Sequence, residues 1–229
     1  MTDSLEAIVK QSQVKQKAPP REFCLQGVRQ FALETRAAIQ LRHSQGISGS
    51  DVVADLSQMA DRILHAVFSF ALADIPGSRS LRTRVSLCAL GGYGRAQMNP
   101  CSDLDISLVY EGTLNDQIGA LDEYLVPFLW DAGFRVGFAV RSMDESLELA
   151  RRDTAVLTSL LEGRHVVGDS TVFGRLKLLL REQMRGPSLE TFVEQKLFDR
   201  TAGLPPQYRD LYTAEPNIKE NAGGLRDYH

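Results

Sequence analysis

Residues 88–109 read CALGGYGRAQMNPCSDLDISLV, and within them a glycine-rich turn joins two apolar segments. The first segment, Val85 to Leu90, is short and partly β-branched, and it ends at Gly91. This pattern predicts a buried strand that is stopped by a glycine. A second strand is predicted to begin just after Ser102, so the turn connects two strands of one sheet.

Two aspartates open the second predicted strand. Because side chains alternate along a strand, Asp103 and Asp105 project to one face while Leu104 and Ile106 point to the other. Carboxylate oxygens are hard ligands that suit Mg²⁺, and two such ions about 3.5–4 Å apart assist in-line phosphoryl displacement. The spacing therefore predicts a Mg²⁺ site, with two metal ions, held by Asp103 and Asp105.

The glycines of the turn suit a phosphate ligand. Gly91, Gly92 and Gly94 lack a Cβ atom, so their backbone can adopt positive φ and bring amide groups close to a triphosphate. Each feature alone has a plainer interpretation, because glycine clusters often form tight connections and alternating acids often mark a solvated strand face. Their combination favours a functional site, since a buried strand that carries two acids needs a counter-charge.

This arrangement resembles the DNA polymerase β-like nucleotidyltransferase superfamily, whose signature is a glycine pair, a loop and Asp-x-Asp. Within that superfamily, GGYGR followed by PCSDLD is most similar to the N-terminal catalytic domain of bacterial PII protein uridylyltransferases. A second block, EPNIKENAGGLRD at residues 215–227, is similar to the segment that follows the catalytic domain in that family. Shorter matches at residues 136–142, 158–162 and 168–169 extend the resemblance from near residue 84 to the C-terminus.

The resemblance implies a Mg²⁺-dependent transfer of UMP from UTP to a tyrosine of the PII signalling protein, in nitrogen regulation. The glycines would contact the β- and γ-phosphates, and an arginine and a serine would position the triphosphate. The candidate site residues are the catalytic metal ligands Asp103 and Asp105 and the nucleotide-binding residues Gly91, Gly92, Arg95, Ser102, Lys219 and Arg226.

Two positions depart from the pattern of the superfamily. Many members have a third carboxylate on a later strand, where this chain has Gly137, and the uridylyltransferases often lack an acid there too. The next residue is Phe138, where a histidine is common, and we interpret it as a core aromatic. The identity of the general base stays open. Two alternatives stay open as well: a nucleotidyltransferase with another nucleotide or acceptor, and a non-catalytic module that binds PII or nucleotide.

Composition sets looser bounds. A net charge of −3 gives no broad basic field, so we expect no nucleic-acid partner. Cys24, Cys88 and Cys101 lack metal-ligand spacing and are odd in number, which favours reduced thiols and a cytoplasmic location. No apolar run is long enough for a membrane span and the N-terminus has no signal-peptide core, so no membrane partner is expected.

The pattern of apolar residues predicts an α/β fold, with a mixed sheet flanked by helices. We expect a flexible leader at residues 1–20, N-terminal helices at 21–75 that pair as a hairpin, and the nucleotidyltransferase domain at 80–200. Prolines at 205 and 206 mark a joint, and we expect a helical C-terminal arm at 201–229. The arm ends where the resembling family continues into further helices, so we expect the chain to be truncated and to lack that family's uridylyl-removing and glutamine-sensing modules.

Overall fold

A computed structural model describes residues 3–14, 19–185 and 187–202 of the chain. The chain divides into two compact units, residues 1–179 and residues 180–229, and the first unit contains the sheet. Apart from residues 201 and 202, the predicted C-terminal arm lies outside the described residues. No helix in the described ranges is long and apolar enough to cross a membrane.

Three helices precede the sheet: α1 (Asp3–Val14), α2 (Arg21–Ser44) and α3 (Gly49–Asp74). The pair formed by α2 and α3 confirms the predicted helical hairpin. Ser48 caps the start of α3, where its side chain accepts a hydrogen bond from the Asp51 amide at 3.2 Å. The apolar stripes of both helices are buried in the core that also covers one face of the sheet.

Helix α1 differs from the flexible leader that the composition predicted for residues 1–20. Leu5 and Ile8 are buried, and they lie three residues apart, so they share one helix face. Ile8 packs closely against α2, where a Cβ atom on Gly27 would lie 2.6 Å from Ile8 Cδ1. Burial of this face against α2 and α3 offsets the entropy cost of ordering the segment.

The sheet has four strands: β1 (Val85–Ala89), β2 (Leu104–Tyr110), β3 (Val136–Ser142) and β4 (Arg164–Gly168). Their order is β3-β2-β1-β4. Strand β1 is antiparallel to both β2 and β4, whereas β2 and β3 are parallel. This mixed sheet with flanking helices confirms the predicted fold class.

The two faces of the sheet have different surroundings. Leu104, Ile106 and Leu108 of β2 belong to the same buried core as the N-terminal helices. Asp105 and Ser107 alternate with these residues and therefore lie on the opposite face. In the parallel register, Asp105 is paired with Gly137 of β3, so the start of β2 and the start of β3 lie side by side.

A 3₁₀ turn at Ser78–Thr83 leads into β1. The other helices lie between the strands or after them in the chain. Ser142 and Glu145 form a capping box at the start of one helix, and Asp153 caps the start of the next. These helices are α4 (Gly91–Gly94), α5 (Asp116–Asp131), α6 (Met143–Arg152), α7 (Thr154–Glu162), α8 (Ser170–Gln183) and α9 (Pro187–Ala202).

Candidate active site

The glycine turn is one turn of helix, α4, that begins directly after β1. Gly91 has φ +56°, which favours glycine. A Cβ atom at this position would lie 3.1 Å from Asp105 Oδ2, so Gly91 and the Asp105 carboxylate are neighbours. The Leu90 amide donates a hydrogen bond to the Asp105 carbonyl at 2.8 Å. The start of the turn is therefore held against the strand that carries the aspartates.

The other two glycines of the turn have a packing role in the described structure. Neither Gly92 nor Gly94 has positive φ; at the exit of the turn Ala96 does, with φ 57°. A Cβ atom on Gly94 would lie 2.9 Å from the Ala89 carbonyl oxygen, and one on Gly92 would lie 3.3 Å from the Gln97 carbonyl oxygen. Their small size therefore lets α4 fold back tightly, and only Gly91 uses the freedom of φ that the sequence predicted.

A network that the sequence did not predict ties the turn to α3. The Tyr93 hydroxyl donates to Asp61 Oδ1 at 2.5 Å, and Arg164 of β4 donates to both Asp61 carboxylate oxygens at 2.7 and 2.8 Å. The Arg164 guanidinium also lies 5.0 Å from the centre of the Tyr93 ring. Burial and the Asp61 charge raise the pKa of Tyr93 well above its usual range, so its hydroxyl stays a donor. A sequence signal exists, because Asp61 interrupts the apolar pattern of α3.

Replacement of Asp61 by asparagine should lower the free energy of unfolding by about 1–2 kcal/mol, because the charged hydrogen bonds to Arg164 are weakened. The loss is no larger because both side chains are partly exposed. This corresponds to a decrease in Tm of about 2–8 °C for a chain of this length. Asp55→Asn on the same helix is the matched control, since Asp55 forms a separate ion pair with the exposed Arg42 at 2.6 Å. Thermal unfolding followed by circular dichroism measures both. Equal Tm values for the two variants would contradict a stabilising role for the network.

Asp105 is the second residue of β2, and Asp103 lies in the loop directly before that strand. Both are exposed to solvent. Asp103 Oδ1 contacts Arg135 Nε at 2.8 Å, whereas no hydrogen bond or ion pair to the Asp105 carboxylate is formed within the described residues. Desolvation raises the pKa of the Asp105 carboxyl above its usual range, and the negative charge of Asp103 adds to the rise. The ionised pair therefore needs additional positive charge.

Gly137, at the position of the missing third carboxylate, lies directly against Asp105. A Cβ atom on Gly137 would be 2.6 Å from Asp105 Oδ1, which is too close for any side chain while Asp105 keeps this position. The parallel pairing of these two residues brings them together. A glycine is thus required by the position of the Asp105 carboxylate, and no carboxylate from this residue completes the site.

A pocket of about 250 Å³ opens beside Asp105. Small residues form part of its wall, and Ser159 of α7 contributes a hydroxyl. Phe138 is half-buried and packs against the core, as we interpreted it from the sequence, but it also lines this pocket. The lining residues are Leu90, Gly91, Asp105, Ile106, Gly137, Phe138, Ala139 and Ser159.

The other predicted nucleotide contacts are placed differently. Arg95 Nη1 contacts Glu162 Oε2 at 2.6 Å, so its charge is paired with an acid of α7. Ser102 is exposed in the loop before β2, next to Asp103. Lys219 and Arg226 lie outside the described residues. Nucleotide binding by these four residues stays a prediction.

The donor set fits a divalent cation. The pKa of one of the two aspartate carboxylates is raised, and a cation between them would neutralise their negative charge. Within the described ranges no group of three or more His, Cys, Asp or Glu side chains could hold a metal, and metal binding by the two aspartates stays a prediction. A pair of carboxylates suits Mg²⁺, which usually keeps several waters and is bound through one or two carboxylates together with substrate phosphates.

Gly91 and Asp105 are neighbours beside an open pocket, so the glycine turn and a carboxylate lie at the same place. This site, at one end of a mixed sheet with flanking helices, defines a nucleotidyltransferase domain. Comparison with known families agrees, since residues 2–125 match the family model described as glutamate-ammonia ligase adenylyltransferase. The chain belongs to this family.

Curated relatives match more of the chain. The enzyme from Rhodospirillum rubrum named bifunctional uridylyltransferase/uridylyl-removing enzyme is 36% identical over 80% of this chain and 20% of its own length. Proteins of the same name from Phenylobacterium zucineum and Nitrosospira multiformis are 33% and 36% identical over 90% of this chain, which is 22% and 23% of their lengths. The chain thus spans about a fifth of the length of these relatives.

Proposed function

We propose that this chain transfers UMP from UTP to a tyrosine hydroxyl of the PII signalling protein, with pyrophosphate as the leaving group. The observation that carries the proposal is the contact between Gly91 and Asp105, with a hypothetical Cβ only 3.1 Å from the carboxylate, beside the pocket. The relatives that match most of the chain carry uridylyltransferase in their names, which favours UTP as the donor. A cytoplasmic location belongs to the same proposal, because the three cysteines are free thiols.

Each residue has a defined role in this proposal. Asp103 and Asp105 would hold Mg²⁺, which supplies neutralisation of phosphate charge when bound. The backbone of Gly91 and Gly92 would contact the β- and γ-phosphates, because no side chain prevents close approach. Holding the donor and the acceptor hydroxyl in line then accounts for most of the rate.

Side chains around the turn would support these roles. Arg95 and Ser102 would position the triphosphate, and Lys219 and Arg226 are proposed as further nucleotide contacts. Arg95 would contact phosphate while its guanidinium also pairs with Glu162, which keeps it oriented. The Tyr93 hydroxyl, bound to Asp61, would keep the turn in place when phosphate binds.

A second candidate function is transfer of AMP, which the description of the matching family favours. Incubation with PII, Mg²⁺ and α-³²P-labelled UTP, ATP, CTP or GTP in parallel separates the two. We expect label on PII with UTP and no label on a PII variant whose acceptor tyrosine is phenylalanine. Label from ATP alone would replace the first proposal by the second. Absence of label with all four nucleotides, from folded protein, would favour a non-catalytic module that binds PII or nucleotide.

A further inference from the structure

Arg135, at the residue before β3, contacts the loop that carries the first aspartate in three ways. Its Nε lies 2.8 Å from Asp103 Oδ1, and its Nη2 donates to the Cys101 carbonyl. Its own carbonyl accepts a hydrogen bond from the Leu104 amide at 2.8 Å. A guanidinium is therefore held at the Asp103 carboxylate, on the same face of β2 as the proposed metal ligands.

The two aspartates have unequal surroundings as a result. Asp103 has a cationic partner, and within the described residues Asp105 has none. The Arg135 and Asp103 side chains are 73% and 54% exposed, so the ion pair lies in water and is weak. A long, exposed side chain can leave its partner at small cost, and a divalent cation beside Asp103 would repel the guanidinium.

We propose that Arg135 pairs with the Asp103 carboxylate until a divalent cation binds. Arg135 and the cation therefore compete for this carboxylate. This inference rests on the proposed function, because it assumes that Asp103 and Asp105 hold the metal. Arg135 thereby lowers the affinity of the free site for cations.

Mn²⁺ binding tests this proposal without nucleotide or turnover. Electron paramagnetic resonance follows free Mn²⁺ during titration of the wild-type chain, Arg135→Gln and Arg135→Lys. We expect Arg135→Gln to bind Mn²⁺ about two- to fivefold more tightly, since that is the range for loss of an exposed competing ion pair. Arg135→Lys keeps the charge and should remain close to the wild type.

Arg152→Gln is the matched control. It removes the same charge from a side chain that is 75% exposed and is paired with Glu148 of α6, not with either aspartate. Its Mn²⁺ affinity should equal that of the wild type. If Arg135→Gln binds Mn²⁺ no more tightly than Arg152→Gln, Arg135 does not compete with the cation and the inference is wrong.

Asp103→Asn separates this failure from failure of the proposed function. Weaker Mn²⁺ binding by Asp103→Asn, with no gain in Arg135→Gln, would remove the role of Arg135 and keep the metal site. Unchanged Mn²⁺ binding by Asp103→Asn would remove the metal assignment and, with it, both proposals. Circular dichroism spectra confirm that each variant is folded.

Discussion

Replacing Asp105 by asparagine should abolish UMP transfer while the fold survives. The loss should reach about 10³-fold, since charge stabilisation by a bound metal is worth several kcal/mol and about 1.4 kcal/mol corresponds to a factor of ten. Asp103→Asn should have a similar effect on transfer. Initial rates with labelled UTP and PII measure both, and Asp131→Asn, an exposed acid that contacts Arg21, is the control with normal activity.

The stability of Asp105→Asn is expected to move in the opposite direction to its activity. Because the pKa of Asp105 is raised in the folded chain, the folded state binds its proton more tightly than the unfolded state. Ionisation of Asp105 therefore costs stability as pH rises through the range from the unfolded to the folded pKa, and the cost persists at neutral pH. Asparagine removes this cost, so Tm without metal should be equal to or above that of the wild type.

Addition of Mg²⁺ reverses this order. A ligand that binds only the folded state raises Tm, and the variant lacks the carboxylate that is proposed to bind it. We expect Mg²⁺ to raise the Tm of the wild type and of Asp131→Asn, and to leave Asp105→Asn unchanged. An Asp105→Asn variant that transfers UMP at the wild-type rate, or that gains equal stability from Mg²⁺, would contradict the metal assignment.

Gly137→Ala should reduce transfer about 10–100-fold, which is the range for loss of a neighbour that orients a metal ligand. The added Cβ atom would lie 2.6 Å from Asp105 Oδ1, so the carboxylate must rotate away. Only the end of a side chain moves, so the cost in stability should be about 0.5–1.5 kcal/mol, the cost of an unfavourable rotamer. Mn²⁺ affinity should fall together with activity.

Gly119→Ala is the control for Gly137→Ala. Gly119 lies in α5, and a Cβ atom there would meet nothing within 4 Å. Alanine is also the better helix former, so this variant should be at least as stable as the wild type and fully active. Equal rates for the two variants would mean that Asp105 tolerates displacement, and the close pairing with Gly137 would then have no catalytic consequence.

The sequence predicted the features of the site that depend on neighbouring residues. Alternation along a strand placed Asp105 on the face opposite Leu104 and Ile106, and a glycine after an apolar run placed the turn at the end of β1. These predictions held because backbone geometry within a few residues decides them.

Residues 3–14 of the predicted leader form helix α1, which the local composition did not indicate. Residues 1–20 contain several Lys and Gln residues and end in two prolines, which predicts disorder. Leu5 and Ile8 nevertheless suffice to dock α1, because α2 offers Gly27 at the contact and α3 offers Arg62 to Glu6 at 3.0 Å. The order of α1 depends on the surface of α2 and α3, which the composition of residues 1–20 does not describe.

By itself, the sequence determined the order of local features along the chain: an apolar strand, a glycine turn and two aspartates at the start of the next strand. Only the tertiary structure decided their partners. Asp61 and Arg164 are 103 positions apart, and Asp105 meets Gly137 through the parallel pairing of β2 and β3. Strand order and helix packing depend on contacts between residues that are distant in sequence, so no local pattern specifies which residues they bring together.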